Sequence, residues 1–282
     1  MRDRPPRRPL RLMGVINVTP DSFSDGGSFA APERAIERGL LLEAEGADIL
    51  DVGGESTRPG ALAVPADEEL RRVLPVVEGL AKRARAAISV DTTKSDVARA
   101  ALDAGATIVN DVSAGRLDPA MLPLVGERAA TCVLMHMQGT PRDMQCAPAY
   151  ADVVAEVRAF LLERADAARA HGVAAERIWV DPGIGFGKTL EHNLALLVRL
   201  GEIAGLGFPV CLGVSRKSFI AAIEAASGAA PSPPESRVGG TAAAVALGVL
   251  GGAAILRIHD VAVMAQAARV ADAALEIRSR GT

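Results

Sequence analysis

The stretch AISVDTTKSDVARAALDAGATIVND, residues 87–111, decides the fold. Its first five residues form an apolar run that turns polar at Asp91. Residues 95–103 then place Val97, Ala98, Ala101 and Leu102 on one helical face, by the three- and four-residue spacing of an α-helix. Residues 107–111 repeat the opening pattern and end in Asn110-Asp111. This is a strand, a helix and a second strand. So short a helical crossover makes the two strands parallel and the connection right-handed.

The same unit recurs along the chain. Eight apolar runs end in polar residues, at 10–18, 48–53, 87–91, 107–111, 131–137, 177–181, 209–215 and 255–260. Helical patterns fill the spaces, clearest at 32–45, 68–83, 95–103, 151–170, 190–203 and 261–278. Pro32 fits the first turn of its helix, where a missing N–H costs nothing. Strict alternation of strand and helix predicts an α/β protein with parallel strands, and eight repeats close into a (β/α)8 TIM barrel. The alternative is an open doubly wound sheet. It commonly carries a glycine-rich fingerprint after its first strand, where this chain has Asn17-Val18-Thr19-Pro20-Asp21. Residues 12–282 therefore read as one domain behind a disordered, Arg- and Pro-rich tail, 1–11, that has no apolar core of a signal peptide. Residues 238–256 carry no charge, but Gly251-Gly252 interrupts them and Arg257 follows. A buried helix running into a buried strand explains them better than a membrane span.

The composition is 49% apolar and only 3% aromatic, so the core is built from Ala, Val, Leu and Ile. A net charge of -3 argues against nucleic acid as a partner, since phosphate binding needs a basic surface. The three cysteines, Cys132, Cys146 and Cys211, lack metal spacing, and Cys132 and Cys211 sit in apolar runs. They read as buried thiols of a cytoplasmic protein in a reducing compartment.

Buried parallel strands should stay apolar to the end, and these do not. Their last positions bring Asn17, Asp51, Asp91, Asn110-Asp111, His136, Asp181, Ser215-Arg216-Lys217 and Arg257 with His259 and Asp260 to one end of the barrel. Burying one such group is commonplace; eight strands doing it together predicts a shared active site at their C-terminal ends. Arg257 and His259 lie two residues apart and so project from one strand face. Of 31 Lys plus Arg only four are Lys, and Lys94, Lys188 and Lys217 all follow strands, as if a compact point charge were needed there.

Several motifs are set aside. Residues 183–189, GIGFGKT, look like a phosphate loop, but Pro182 stands where its first glycine belongs. These glycines are expected instead to let the backbone approach a planar ligand. No His-x-His pair lies on the first strand, which argues against a zinc hydrolase, and His171 and His192 read as surface residues. The acceptors of Asp91, Asn110 and Asp181 suit a flat heterocycle with several N–H donors. Arg58, Arg257 and His259 supply cations for a phosphate or diphosphate, and Asn17 can hold a hydrated Mg²⁺ through its amide oxygen. A heterocycle joined to diphosphate is a group-transfer donor with diphosphate as leaving group. A Schiff-base aldolase acting through Lys217 is the rival reading of the same residues.

The motifs NVTPDSFSDGG (17–27), GGESTRPG (53–60), SVDT (89–92), NDV (110–112), MHMQG (135–139), DPGIGFGK (181–188), SRKS (215–218) and RIHD (257–260) together resemble dihydropteroate synthases, from about Leu12 to Val261. The resemblance implies a transferase that condenses 6-hydroxymethyl-7,8-dihydropterin diphosphate with para-aminobenzoate, with Mg²⁺, as a homodimer. It implies that Asp91, Asn110, Asp181 and Lys217 hold the pterin, and that Asn17, Arg257 and His259 hold the diphosphate and metal, with Thr57 and Arg58 closing over them. Asp21 and Phe23 would belong to a mobile loop that completes the para-aminobenzoate pocket with Arg58, Pro59, Lys217 and Ser218. Asp21, Asp91, Asp181 and Lys217 are the catalytic candidates. A non-catalytic pterin-binding paralogue, or a barrel passing methyl groups to a corrinoid partner, would carry similar motifs.

Overall fold

The computed structural model describes residues 9–19 and 27–280, the side chains of 27–31 and 278–280 excepted. The chain runs β1 (Arg11–Asn17), α1 (Gly27–Ala44), β2 (Ile49–Gly53), α2 (Ala66–Arg83), β3 (Ala87–Asp91), α3 (Ser95–Asp103), β4 (Ile108–Asp111), α4 (Met121–Glu127) and β5 (Thr131–Met135). It continues α5 (Val153–Ala170), β6 (Ile178–Asp181), α6 (Leu190–Val198), α7 (Leu200–Ala204), β7 (Val210–Gly213), α8 (Ser218–Ala226), α9 (Val238–Leu250), β8 (Ala253–Ile258) and α10 (Val261–Arg280). All eight expected strands form, and they close in sequence order into a parallel barrel. The stretch 238–256 resolves into α9 and the start of β8. Among the described residues no helix is long and apolar enough to cross a membrane.

Three local expectations need correction. Pro32 lies inside α1, not in its first turn, because the helix already begins at Gly27. The pattern at 190–203 is two helices, α6 and α7, separated at Arg199. The fifth strand ends at Met135, so His136 and Met137 open the following loop. Most of the expected N-terminal tail falls outside the described residues.

Side chains alternate across each strand, inward then outward. Met13, Ile49, Ile108, Val133, Trp179, Cys211 and Ile255 point inward and fill the lower barrel as one apolar cluster. The Arg11 guanidinium lies 4.5 Å from the centre of the Trp179 ring. Outward residues such as Ile16, Leu50, Val90 and Leu134 join Val73, Leu80, Val97 and Leu161 of the helices in the larger outer core. Leu50 and Leu80 are wholly buried, which is worth about 1.5–3 kcal/mol each. Gly79 lets α2 close on α1, since a Cβ there would stand 2.3 Å from Ile36 Cδ1.

Register carries the polar ends to a common height. Asn17 pairs with Gly53, Gly53 with Asp91 and Asp91 with Asn110. On the other side of the barrel Met135 pairs with Asp181, and Gly213 with Arg257.

Candidate active site

Two residues beyond the inward apolar layer stand Asp51, Asn110, Asp181 and Arg257, and Asp91 follows inward Ser89. The period of the strand therefore puts all five side chains in the barrel mouth. Asp51, Asp91, Asn110 and Asp181 are buried, and Arg257 and Lys217 are partly exposed.

Arg257 ties this wall together. Its Nε donates to Asp51 Oδ2 at 2.7 Å and its Nη2 to Asp91 Oδ2 at 2.6 Å. Asn110 Nδ2 donates to the same Asp51 oxygen at 3.1 Å. The expected division into an acidic wall and a separate cationic rim is thus corrected: Arg257 belongs to both, because two buried carboxylates need a shared counter-ion. Burial pushes the Asp91 carboxyl up; Arg257 pulls it down, while Asp51, Glu69 and Asp111 push it up again, leaving it raised to about 7.

Across the mouth, Asp181 Oδ1 accepts the Gly183 N–H at 2.7 Å. Burial raises its pKa, against the opposing pull of Lys217. Lys217 donates to the Ile184 carbonyl and stands 4.6 Å from the centre of the Phe186 ring. Burial lowers its ammonium to about 8, with Asp181 working the other way. Beside this site Met135, Met137, Met144 and Val112 form a small buried apolar cluster against which Phe186 packs.

The loops that carry the rim are braced from behind. Arg216, at φ 59°, holds a left-handed backbone conformation that costs a non-glycine residue about 1 kcal/mol or more. Its guanidinium makes a two-point contact with Asp260, Nε to Oδ2 at 2.9 Å and Nη2 to Oδ1 at 2.5 Å. Thr241 Oγ1 accepts its N–H at 3.1 Å, and Arg237 Nη1 donates to its carbonyl at 2.9 Å. The clamp joins the loop carrying Lys217 and Ser218 to the one carrying His259. His259 Nδ1 also lies 3.0 Å from Ser215 Oγ. Burial, then Arg257 and Arg216, lower His259 to about 3, so it is neutral at pH 7 and is not the cation expected from sequence. Lys94, which follows β3, bridges Glu69 of α2, with 2.6 Å from its Nζ to Oε2, and Glu55 in the loop after β2, where Val64 N donates to Glu55 Oε1 at 3.2 Å. Thr57 is half-buried there, while Arg58 and Pro59 are exposed. Arg58 lies near enough to His259 to contribute to its lowered pKa. Ser218 is exposed at the start of α8, and Asn17 is half-buried at the end of β1. Asp21 and Phe23 lie outside the described residues.

Several sequence assignments change. His136 has the outward parity of its strand and does not join the ring. It is buried edge-on against Phe160, with Nδ1 2.9 Å from Lys188 Nζ. Lys188 is itself buried and donates to the Phe186 carbonyl at 2.9 Å, so it fastens the Phe186 loop from behind. Asp111 also faces away from the mouth, accepting Ser113 N at 2.7 Å and Gly115 N at 2.6 Å. Gly183, expected to admit a ligand, instead admits the neighbouring loop: a Cβ there would stand 1.9 Å from the His136 carbonyl oxygen. His192 is half-buried and shares a capping box with Thr189 at the start of α6. Cys132 and Cys211 are buried thiols, as expected, and Cys146 is exposed.

Residues 13–259 match the pterin binding enzyme family. The chain is 50% identical to the dihydropteroate synthase of Mycobacterium leprae over 267 residues, covering 94% of this chain and 93% of that one. The chain belongs to the dihydropteroate synthase family. A solved Xanthomonas albilineans dihydropteroate synthase with 4-aminobenzoic acid superposes with a TM-score of 0.87 at 49% identity, over 95% of this chain and 93% of that one. A second structure of that enzyme, in complex with 7,8-dihydropteroate, gives a TM-score of 0.83 at 45% identity, over 95% and 94% of the two chains. Within this dihydropteroate synthase barrel the residue that sequence reading left without a role is Asp51. Its signal was present, an aspartate in the middle of an otherwise apolar strand, but its two partners come from β4 and β8, and no spacing along the chain reveals them.

Proposed function

We propose that the chain is a transferase that joins 6-hydroxymethyl-7,8-dihydropterin diphosphate to para-aminobenzoate, giving 7,8-dihydropteroate and diphosphate in the folate pathway of the cytoplasm. The observation that carries this reading is the contact of Arg257 with buried Asp91. It sets a cation for the diphosphate against the wall of acceptors for the heterocycle. The same two moieties are joined in the proposed donor.

Asp91, Asn110, Asp181 and Lys217 would bind the pterin, with Phe186 and the methionine cluster beside it. Arg257, His259 and Thr57 would bind the diphosphate, His259 as a neutral donor. The methylene C–O bond then breaks, and its electron pair leaves with the diphosphate. The electron-rich dihydropterin delocalises the resulting cation, which Asp91 and Asp181 stabilise from fixed positions. The neutral aniline nitrogen attacks the methylene and afterwards releases a proton to solvent. No general base is obligatory, since the attacking amine is unprotonated at pH 7. The para-aminobenzoate pocket would combine Phe23, Arg58, Pro59, Lys217 and Ser218, with Asp21 closing over it.

Among the described residues no group of three or more His, Cys, Asp or Glu forms a metal cage. A single amide oxygen at Asn17 nevertheless fits Mg²⁺, which keeps its waters and takes few protein ligands when a diphosphate supplies the rest. When bound, the ion would neutralise charge on the diphosphate. A homodimer is also part of this reading. Leu194 and Val198 on α6, Ile223 on α8, and Leu247 and Leu250 on α9 are exposed on helices that pack together.

The test is diphosphate release from purified protein supplied with Mg²⁺, the pterin diphosphate and para-aminobenzoate. Release that requires both organic substrates is expected. No release with everything present overturns the proposal, and release without para-aminobenzoate makes the protein a hydrolase.

A further inference from the structure

Asp51 carries no role in the chemistry above, yet its side chain is wholly enclosed in the mouth. It is 0% exposed and sits on the inward face of β2, at the level of Ser89 on β3. One of its oxygens, Oδ2, accepts from both Arg257 Nε at 2.7 Å and Asn110 Nδ2 at 3.1 Å. The other, Oδ1, has no hydrogen-bond partner among the described residues. Sinking a carboxylate this deep is expensive unless its neighbours are organised around it. Here both neighbours belong to the candidate site.

The consequence for Asn110 is specific. Its amide has a donor end and an acceptor end, and either can face the barrel mouth. Asp51 accepts only, so it selects the Nδ2 end and leaves the Asn110 carbonyl oxygen for a ligand. Arg257 is fixed at the same time through Nε, so its contact with Asp51 does not depend on what Asp91 does.

We propose that Asp51 is a positioning residue that fixes the Asn110 amide as an acceptor for the N–H edge of the heterocycle and anchors the Arg257 guanidinium beside it. The proposal rests on the pterin reading of this site. It makes Asp51 a determinant of heterocycle recognition, without contact to the diphosphate. Asp51→Ala removes the acceptor that orients Asn110. Asp51→Asn retains an oxygen that both donors can reach, while removing the charge.

The two halves of the proposed donor separate these effects. Binding of 6-hydroxymethylpterin and, separately, of inorganic diphosphate is measured by calorimetry on the intact chain. Asp51→Ala is expected to weaken the pterin about tenfold, the scale of one misdirected buried hydrogen bond. It should weaken diphosphate clearly less, because Arg257 keeps its Nη2 contact with Asp91 and the loss of a neighbouring negative charge favours an anion. Asp51→Asn should return pterin affinity to within about threefold of the parent. Wild-type pterin affinity in Asp51→Ala, equal weakening of both ligands, or failure of Asp51→Asn to rescue would overturn the proposal. Should Asp51→Ala not fold, Asp51→Ser, whose hydroxyl stops short of both partners, makes the same comparison. If neither folds, Asp51 is a folding determinant and the proposal fails. If the parent protein binds neither half-ligand, the pterin reading has failed instead.

Discussion

Replacing Arg257 by alanine tests how the site is held together. Its guanidinium makes two charged hydrogen bonds, 2.7 Å to Asp51 and 2.6 Å to Asp91, and both carboxylates are buried. Without it, two acidic side chains face each other in a closed space with no ion-pair partner among the described residues. Breaking a buried ion pair from one side costs about 3–5 kcal/mol. For a chain of this size each kcal/mol lowers Tm by roughly 2 °C, so Arg257→Ala should unfold roughly 6–10 °C earlier at pH 8. The deficit should shrink at pH 5. Arg257 normally pulls the Asp91 pKa down, so its loss lets Asp91 take a proton more readily and relieve the repulsion. Loss of one preorganised charge should also cost about 3–4 kcal/mol of transition-state stabilisation, two to three orders of magnitude in kcat. Arg257→Lys keeps a charge but not the two-point geometry, so it should recover most of the stability and little of the rate. Scanning calorimetry at the two pH values and steady-state diphosphate release measure these effects. An alanine variant with the parent Tm at pH 8, or with kcat within threefold of the parent, would refute the reasoning.

Other changes separate bracing from chemistry. Asp260→Ala removes the clamp on left-handed Arg216, and should raise KM for para-aminobenzoate while lowering Tm by only about 2–4 °C; an unchanged KM would show that the loop needs no clamp. Asp91 is raised from the ordinary 3.8 to about 7, so the folded chain keeps a proton that the unfolded chain has lost. That stability is present below about pH 4 and lost as pH rises through about 7, so Asp91→Asn should gain stability relative to the parent across that window, and a pH-independent difference in calorimetry would contradict it. Gly79→Ala drives a methyl to 2.3 Å from Ile36, far from the mouth, and should cost about 1–3 kcal/mol while leaving kcat and KM unchanged.

The barrel was legible because its determinants are local. Residues 87–111 carry a whole strand–helix–strand unit in their own periodicity, and the structure returns β3, α3 and β4 nearly residue for residue. The site was legible where strand parity governed it: Asp91, Asn110, Asp181 and Arg257 share one face because each lies an even number of positions from an inward neighbour. The same rule excludes His136, which lies one residue past Met135 and so turns outward to Phe160 and Lys188. What remained hidden depends on contacts between distant strands. The Arg257–Asp51 bond spans 206 positions in sequence, and it changes Arg257 from a rim cation into the pin of the acidic wall. Likewise the neutrality of His259 follows from burial beside Arg257 and Arg216, a fact of packing that residue type alone does not disclose.

Where the oxygen goes is the most direct test of the transfer itself. The pterin diphosphate is prepared with oxygen-18 in the bridge between the methylene carbon and phosphorus, and the products formed with para-aminobenzoate are analysed by mass spectrometry. Carbon–oxygen cleavage followed by amine attack sends all of the label out with diphosphate and leaves none in dihydropteroate. Label retained on 6-hydroxymethyldihydropterin, with no dihydropteroate formed, would mean that phosphorus is attacked instead, and would contradict the account.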